Sequence, residues 1–248
     1  MGKLKGKVAL VTGGLGGIGR AIVSVLAAEG ADVGIVDKNA EGAQSVAKEV
    51  ESLGVRTSFA QADVSDQAQG TAAFSSVTKT LGEVDILCNN AGIGTSSPFT
   101  NMSVEMWDEM IRVNLRSIFL CTRLVLPAMR RKRWGRIINT ASQLGMKGSP
   151  DLVHYCAAKA GVIGFTRALA HEVARDGITV NAIAPGPIET QMLAGLSQAW
   201  REAKLAELPI ARFGRVEEVA HTVVLLASDA GGYYVGATMN VNGGDYMG

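Results

Sequence analysis

The chain has 248 residues, 24 basic and 23 acidic side chains, a net charge of +1 and 47% apolar residues, enough for a substantial core with no bulk charge to recruit an acidic partner. No apolar run is long enough to cross a bilayer, and the one basic run, Arg130-Arg131-Lys132-Arg133, closes a periodic apolar stretch where cations suit a helix C-terminus, so neither a membrane nor a nucleic-acid partner is expected. Cys88, Cys121 and Cys156 are widely spaced, as are the three histidines, so no metal site is expected; an odd number of cysteines without a signal peptide reads as reduced thiols in a cytoplasmic protein.

In chain order, the strand candidates are Val8–Thr12, Val33–Asp37, Thr57–Ala62, Ile86–Asn89, Ile137–Thr140, Thr179–Ala184 and Thr238–Val241. Helical periodicity fills Gly17–Glu29, Ala40–Leu53, Ala68–Leu81, Val104–Met129, Tyr155–Arg175 and Val216–Ala227. The first strands are nearly continuous apolar runs, as burial on both faces requires. Alternation of strand and helix predicts an α/β fold: one doubly wound Rossmann-type domain over residues 1–248, with about seven parallel strands and helices on both faces. The long irregular stretch from Pro185 to Phe213 interrupts the pattern and reads as a substrate loop or lid, 185–213.

Chemistry concentrates at the turns. The first strand runs into Thr12-Gly13-Gly14-Leu15-Gly16-Gly17-Ile18-Gly19, between a strand and a helix. Such glycines let a backbone approach a pyrophosphate closely, and the helix N-terminus offers it N–H groups and a positive dipole end. Two glycine registers fit, Gly14-x-Gly16-x-x-Gly19 and Gly13-x-x-x-Gly17-x-Gly19. Asp37 closes the next strand, where a carboxylate accepts the adenosine ribose hydroxyls and repels a 2′-phosphate. That favours NAD over NADP, although the adjacent Lys38 is able to pair with a phosphate. Tyr155 and Lys159 stand one helical turn apart, which places the ammonium beside the phenol. A cation there favours the phenolate and suits the tyrosine to acid–base work. Ser142 follows the strand ending at Thr140. In the lid stretch, Met192, Leu193, Leu196 and Trp200 read either as a cover over an apolar substrate, with Met192 and Leu193 touching it, or as the buried face of a short helix.

Together Thr12-Gly13-x-x-x-Gly17-x-Gly19, Asn89-Asn90-Ala91-Gly92, Asn114, Ser142, Tyr155, Lys159 and Pro185-Gly186 resemble the short-chain dehydrogenase/reductase family over nearly the full length. The resemblance selects the register Gly13, Gly17 and Gly19, with Leu15 and Ile18 in the same cofactor turn. It implies that Tyr155 is the proton donor or acceptor, and that Lys159 holds the nicotinamide ribose and lowers the Tyr155 pKa. Ser142 bonds the substrate oxygen, and Asn114 anchors a water leading from Lys159 to solvent. Asp63 and Val64 would meet the adenine, and Asn90, Ala91 and Gly92 would lie along the cofactor near the adenosine ribose. Pro185, Gly186, Ile188 and Thr190 would meet the nicotinamide end. The resemblance also implies a homotetramer.

The runs Ile178-Thr179-Val180-Asn181, Leu208–Arg215 and Val241-Asn242-Gly243-Gly244 look like 3-oxoacyl-[acyl-carrier-protein] reductases, which use NADPH. The glycine turn here lacks the Arg usual in those enzymes, and Asp176 stands where they carry a basic residue. The expectation is therefore an NAD-dependent dehydrogenase or reductase of small secondary alcohols and ketones. The alternatives are the carrier-protein reductase and, more remotely, a non-catalytic dinucleotide-binding regulator, against which the retained Ser142, Tyr155 and Lys159 speak.

Overall fold

The computed structural model describes residues 2–248, apart from the side chain of Met192. Seven strands form one parallel sheet: β1 (Val8–Thr12), β2 (Asp32–Asp37), β3 (Thr57–Gln61), β4 (Ile86–Asn89), β5 (Gly135–Thr140), β6 (Ile178–Pro185) and β7 (Thr238–Val241). The helices are α1 (Gly17–Ala28), α2 (Ala43–Ser52), α3 (Gln67–Leu81), α4 (Val104–Ile111), α5 (Ser117–Lys132), α6 (Leu144–Lys147), α7 (Val153–Val173), α8 (Gln191–Ala194), α9 (Gln198–Glu207) and α10 (Val216–Ala227).

Strand residues alternate between two cores because successive side chains point to opposite faces. Ala9, Val11, Ile35 and Ile86 pack with residues of α1 and α10, while Leu10, Val36, Leu87 and Ile137 pack with residues of α3 and α5. The doubly wound, two-faced architecture read from the sequence is thus present, with strand order β3-β2-β1-β4-β5-β6-β7. That order reverses direction between β1 and β4, and in an open parallel sheet such a switch point opens a crevice at the carboxyl ends of the strands. The glycine turn after β1, Asn90–Gly92 after β4, Ser142 after β5 and Gly186 after β6 all lie at that edge.

Two elements differ from the periodicity reading. The helix expected over Val104–Met129 is broken by a π-helical turn at Arg112–Arg116, with α4 before it and α5 after it. The turn sets Asn114 facing inward, fully buried; π-turns of this kind are often found where a helix serves a site. The irregular stretch after Pro185 contains α8 and α9, the latter started by the Ser197 hydroxyl, which accepts from the Trp200 N–H at 3.2 Å. Among the described residues no helix is long and apolar enough to cross a membrane.

Candidate active site

Backbone conformation distinguishes the two glycine registers. Gly13 and Gly17 adopt φ of 64° and 50°, the left-handed region that disfavours a side chain. A Cβ on Gly13 would lie 2.9 Å from the Ala91 Cα, and one on Gly19 only 1.9 Å from the Gly13 carbonyl oxygen. Gly16 has φ −140°, and a Cβ there would meet nothing within 4 Å. Gly13, Gly17 and Gly19 therefore carry the turn. Helix α1 begins there with no side-chain cap and no acidic residue in its first turn, which leaves its N–H groups and dipole free for an anion. Leu15 and Ile18 pack on the core beneath it, and the Thr190 methyl stands 3.3 Å from where a Gly17 Cβ would be. A backbone cradle that admits no side chain, beside an uncapped helix end, fits a dinucleotide pyrophosphate.

At the adenosine side, the Asp37 carboxylate accepts the Leu15 N–H at 3.1 Å and the Asn39 N–H at 3.0 Å. It is thereby fixed at the mouth of the glycine turn, next to the exposed Lys38. Burial pushes the Asp63 carboxyl up, but the Ser65 hydroxyl and N–H and the Arg112 guanidinium, 3.2 Å away, together hold it below its ordinary value. Both Asp63 oxygens thus have partners within the protein, and Val64 is buried in the core. Asn90 donates to the Thr12 and Gly13 carbonyls at 3.2 and 3.0 Å. The Thr12 hydroxyl accepts the N–H groups of Asn90 and Ala91, both at 3.1 Å. These bonds knit the end of β4 to the glycine turn.

At the other end, Asn114, Gly92 and Lys159 converge. Asn114 accepts the Ile93 N–H at 3.1 Å and donates to its carbonyl at 3.0 Å. A Cβ on Gly92 would sit 2.6 Å from the Asn114 Oδ1 and 3.7 Å from the Lys159 Nζ, so only glycine fits. Lys159 donates to the Thr140 carbonyl at 2.7 Å, and burial pushes its ammonium down to about 8. The Ser142 hydroxyl accepts the Leu144 N–H at 3.1 Å.

The expected lowering of the Tyr155 pKa is not met in the cofactor-free protein. Burial pushes the phenol up, and hydrogen bonding to Ser142 only partly opposes it. The physical reason is burial, which disfavours the phenolate; the Lys159 Nζ lies over the Tyr155 ring, 5.7 Å from its centre.

In the stretch that begins at Pro185, the Gly186 N–H donates to the Val241 carbonyl at 3.0 Å, and a Cβ on Gly186 would lie 2.7 Å from the Asn242 Cα. Pro185 ends β6, and Ile188 is buried and bridges to Gly214. Leu193 is buried with Leu208 and Phe213, so for it the buried-face reading holds. Leu196 and Trp200 are exposed, and the side chain of Met192 lies outside the described part.

Two groups were given no role by the sequence reading. Asn89 donates to the Asn139 Oδ1 at 2.9 Å, and Asn139 donates to the Thr166 hydroxyl at 2.9 Å, which ties β4 and β5 to α7 below Tyr155 and Lys159. The signal was two asparagines inside otherwise apolar strands, which parallel pairing sets side by side. The second is the buried Asp245, near the end of the chain, whose partners include Gln143 beside Ser142.

A model of the short chain dehydrogenase family matches residues 7–200. The 3-oxoacyl-[acyl-carrier-protein] reductase of Escherichia coli (strain K12) is 44% identical over 98% of both chains. Nodulation protein G of Azospirillum brasilense is 45% identical over 96% of this chain and 97% of its own. Among solved structures, a putative short-chain alcohol dehydrogenase from Sinorhizobium meliloti 1021 superposes with a TM-score of 0.94 at 36% identity, over 98% of this chain and 97% of that one. Levodione reductase superposes with a TM-score of 0.93 at 36% identity, over 97% and 98%.

Proposed function

The chain belongs to the short-chain dehydrogenase family, and from that premise we propose that it interconverts small secondary alcohols and ketones with a preference for NAD(H). Its class, an oxidoreductase acting on alcohol or keto groups with a nicotinamide cofactor, follows from the family and its relatives. The observation that carries the cofactor choice is Asp37: its carboxylate is fixed by the Leu15 N–H where the adenosine ribose would lie, and a 2′-phosphate there would meet a negative charge.

The substrate class rests on the basic run. Arg130 pairs with Glu172 and Asp176, Arg131 and Lys132 with Glu83, and Arg133 with Asp176. These surface pairs, Asp176 taking two of the arginines, offset part of the charge that an acidic carrier would meet. The second reading, an NADPH-dependent 3-oxoacyl-[acyl-carrier-protein] reductase, is favoured by the 44% identity to the Escherichia coli enzyme.

Gly13, Gly17, Gly19 and the α1 N-terminus would hold the pyrophosphate, Asp37 the adenosine ribose, and Lys159 the nicotinamide ribose. When bound, the nicotinamide supplies or takes up hydride. Ser142 and Tyr155 hold the substrate oxygen, and Tyr155 passes its phenolic proton to that oxygen in reduction and removes it in oxidation. Such positioned proton transfer is worth roughly a hundred- to ten-thousand-fold in rate. Asn114, buried and fixed to Ile93, holds the polar route by which Lys159 exchanges protons with solvent. The three free cysteines suit a reducing compartment, and we take the cytoplasm as its setting.

The test is kcat/KM for NADH against NADPH, on free ketones and on carrier-bound 3-oxoacyl substrates. We expect NADH and free ketones to win, and Asp37→Ala to narrow the cofactor preference. NADPH with carrier-bound substrate winning would install the second reading.

A further inference from the structure

We propose that Asp245 is a positioning residue for substrate: a buried carboxylate that fastens the lid helix α9 to the loop carrying Ser142. This rests on the reading of Ser142 as the group that meets the substrate oxygen. Asp245 has a side chain only 4% exposed, yet three donors from two chain segments, Gln143 and Lys147 at the two ends of α6 and Lys204 on α9, aim at it. The Lys147 Nζ, at the end of α6, lies 2.7 Å from its Oδ1. The Lys204 Nζ, on α9, lies 2.8 Å from both oxygens. Gln143 donates to Oδ2 through its side-chain amide. Gln143 follows Ser142 directly, and its own N–H donates to the Pro185 carbonyl at 3.2 Å, where the lid stretch begins.

Two glycines let the tail pass close under the lid to this place. Gly243 and Gly244 adopt φ of 64° and 87°, and a Cβ on either would press on Ile210 or Pro209 at the foot of the lid. The Ile210 N–H donates to the Gly243 carbonyl at 3.3 Å. The tail is thus wedged between the lid and the β5 loop, with Asp245 at the junction. Burial would push this carboxyl up; the bonds from Lys147, Lys204 and Gln143 outweigh it and keep the group charged. A charge so enclosed holds its partners far more firmly than an exposed pair does, because leaving any of them unpaired is costly. Loss of the carboxylate leaves α9 attached mainly through Leu193, Leu205, Leu208 and Phe213. The lid then closes less often over a bound ketone, while Asp37 keeps its bonds to the Leu15 and Asn39 N–H groups, none of them in α9 or the tail.

The experiment compares the full-length protein with Asp245→Asn, Lys204→Met and the double variant, reading KM and kcat for a ketone that the parent reduces, the NADH Kd, and amide hydrogen exchange across α9. Each single change is expected to raise KM about tenfold while kcat and the NADH Kd stay within about twofold, the scale on which loosened substrate positioning acts. The double variant is expected to be no worse than the worse single one, since both remove one contact, and α9 amides should exchange faster than those of the sheet. Lys204 lies on a peripheral helix, so its variant folds even if Asp245→Asn does not. Unchanged KM in Lys204→Met, multiplying effects in the double variant, or unchanged α9 exchange would overturn the proposal. The exchange arm needs no turnover, so absence of ketone reductase activity in the parent would instead strike at the proposed function.

Discussion

Lys159 is the residue where stability and function pull apart. It is buried, bonds one carbonyl, and is pushed down to about 8 by that burial. A depressed lysine pKa means that between about 8 and the ordinary value near 10.5 the unfolded chain holds a proton the folded one has released. Its contribution is fully present above that upper value and is lost as pH falls through about 8. Stability of the cofactor-free protein should therefore gain from this group as pH rises across that window, and Lys159→Met should flatten the rise. At pH 7 the same variant should melt higher than the parent while losing turnover, as charged site residues trade stability for activity. Calorimetry at pH 7 and 9.5 checks this, and a lower melting point at pH 7 would contradict it. That Tyr155, Lys159 and Ser142 meet was legible because their types and spacing set them on one helix and one loop. The rise in the Tyr155 pKa was not, because it depends on burial, which only the packed chain sets.

Among the elements, the glycine turn gives the sharpest contrast. Gly19→Ala forces a Cβ into the Gly13 carbonyl, and overpacking of that kind costs about 1–3 kcal/mol. In a chain of this length each kcal/mol moves Tm by roughly 2–4 °C. Gly16→Ala meets open space. There the small entropic gain from replacing glycine, about 0.4–1 kcal/mol, opposes a weaker helix cap, and Tm should stay within roughly 2 °C. Melting curves of the two variants check the register; equal losses would contradict it. The sequence alone left that register open because both spacings share Gly19, and only the left-handed φ of Gly13 and Gly17, with Ala91 pressed on Gly13 and open space at Gly16, separates them. The break at Arg112–Arg116 was equally hidden. Apolar periodicity runs through it, and the asparagine that the π-turn buries shows only as a polar residue in a helix. For the stretch after Pro185 the sequence left a cover and a short helix as alternatives, because the small cluster that separates them joins Leu193 to residues well beyond it, Leu208 and Phe213.

At the scale of the whole molecule, strand count and parallel winding were readable from alternating apolar runs. The position of the crevice needed the strand order as well. The long helix pair flanking the π-turn leaves Trp107, Phe119 and Leu124 exposed. We propose that a second copy covers such surface in a homotetramer; sedimentation showing only monomer at micromolar concentration would reject it. The most direct measurement on the whole assembly compares the parent with Tyr155→Phe, following NADH oxidation against a panel of ketones alongside NADH binding by fluorescence. If Tyr155 carries the proton, turnover falls roughly a hundredfold or more while NADH binds as before. Equal turnover in the two proteins, with NADH bound in both, would contradict the proposed chemistry at its centre.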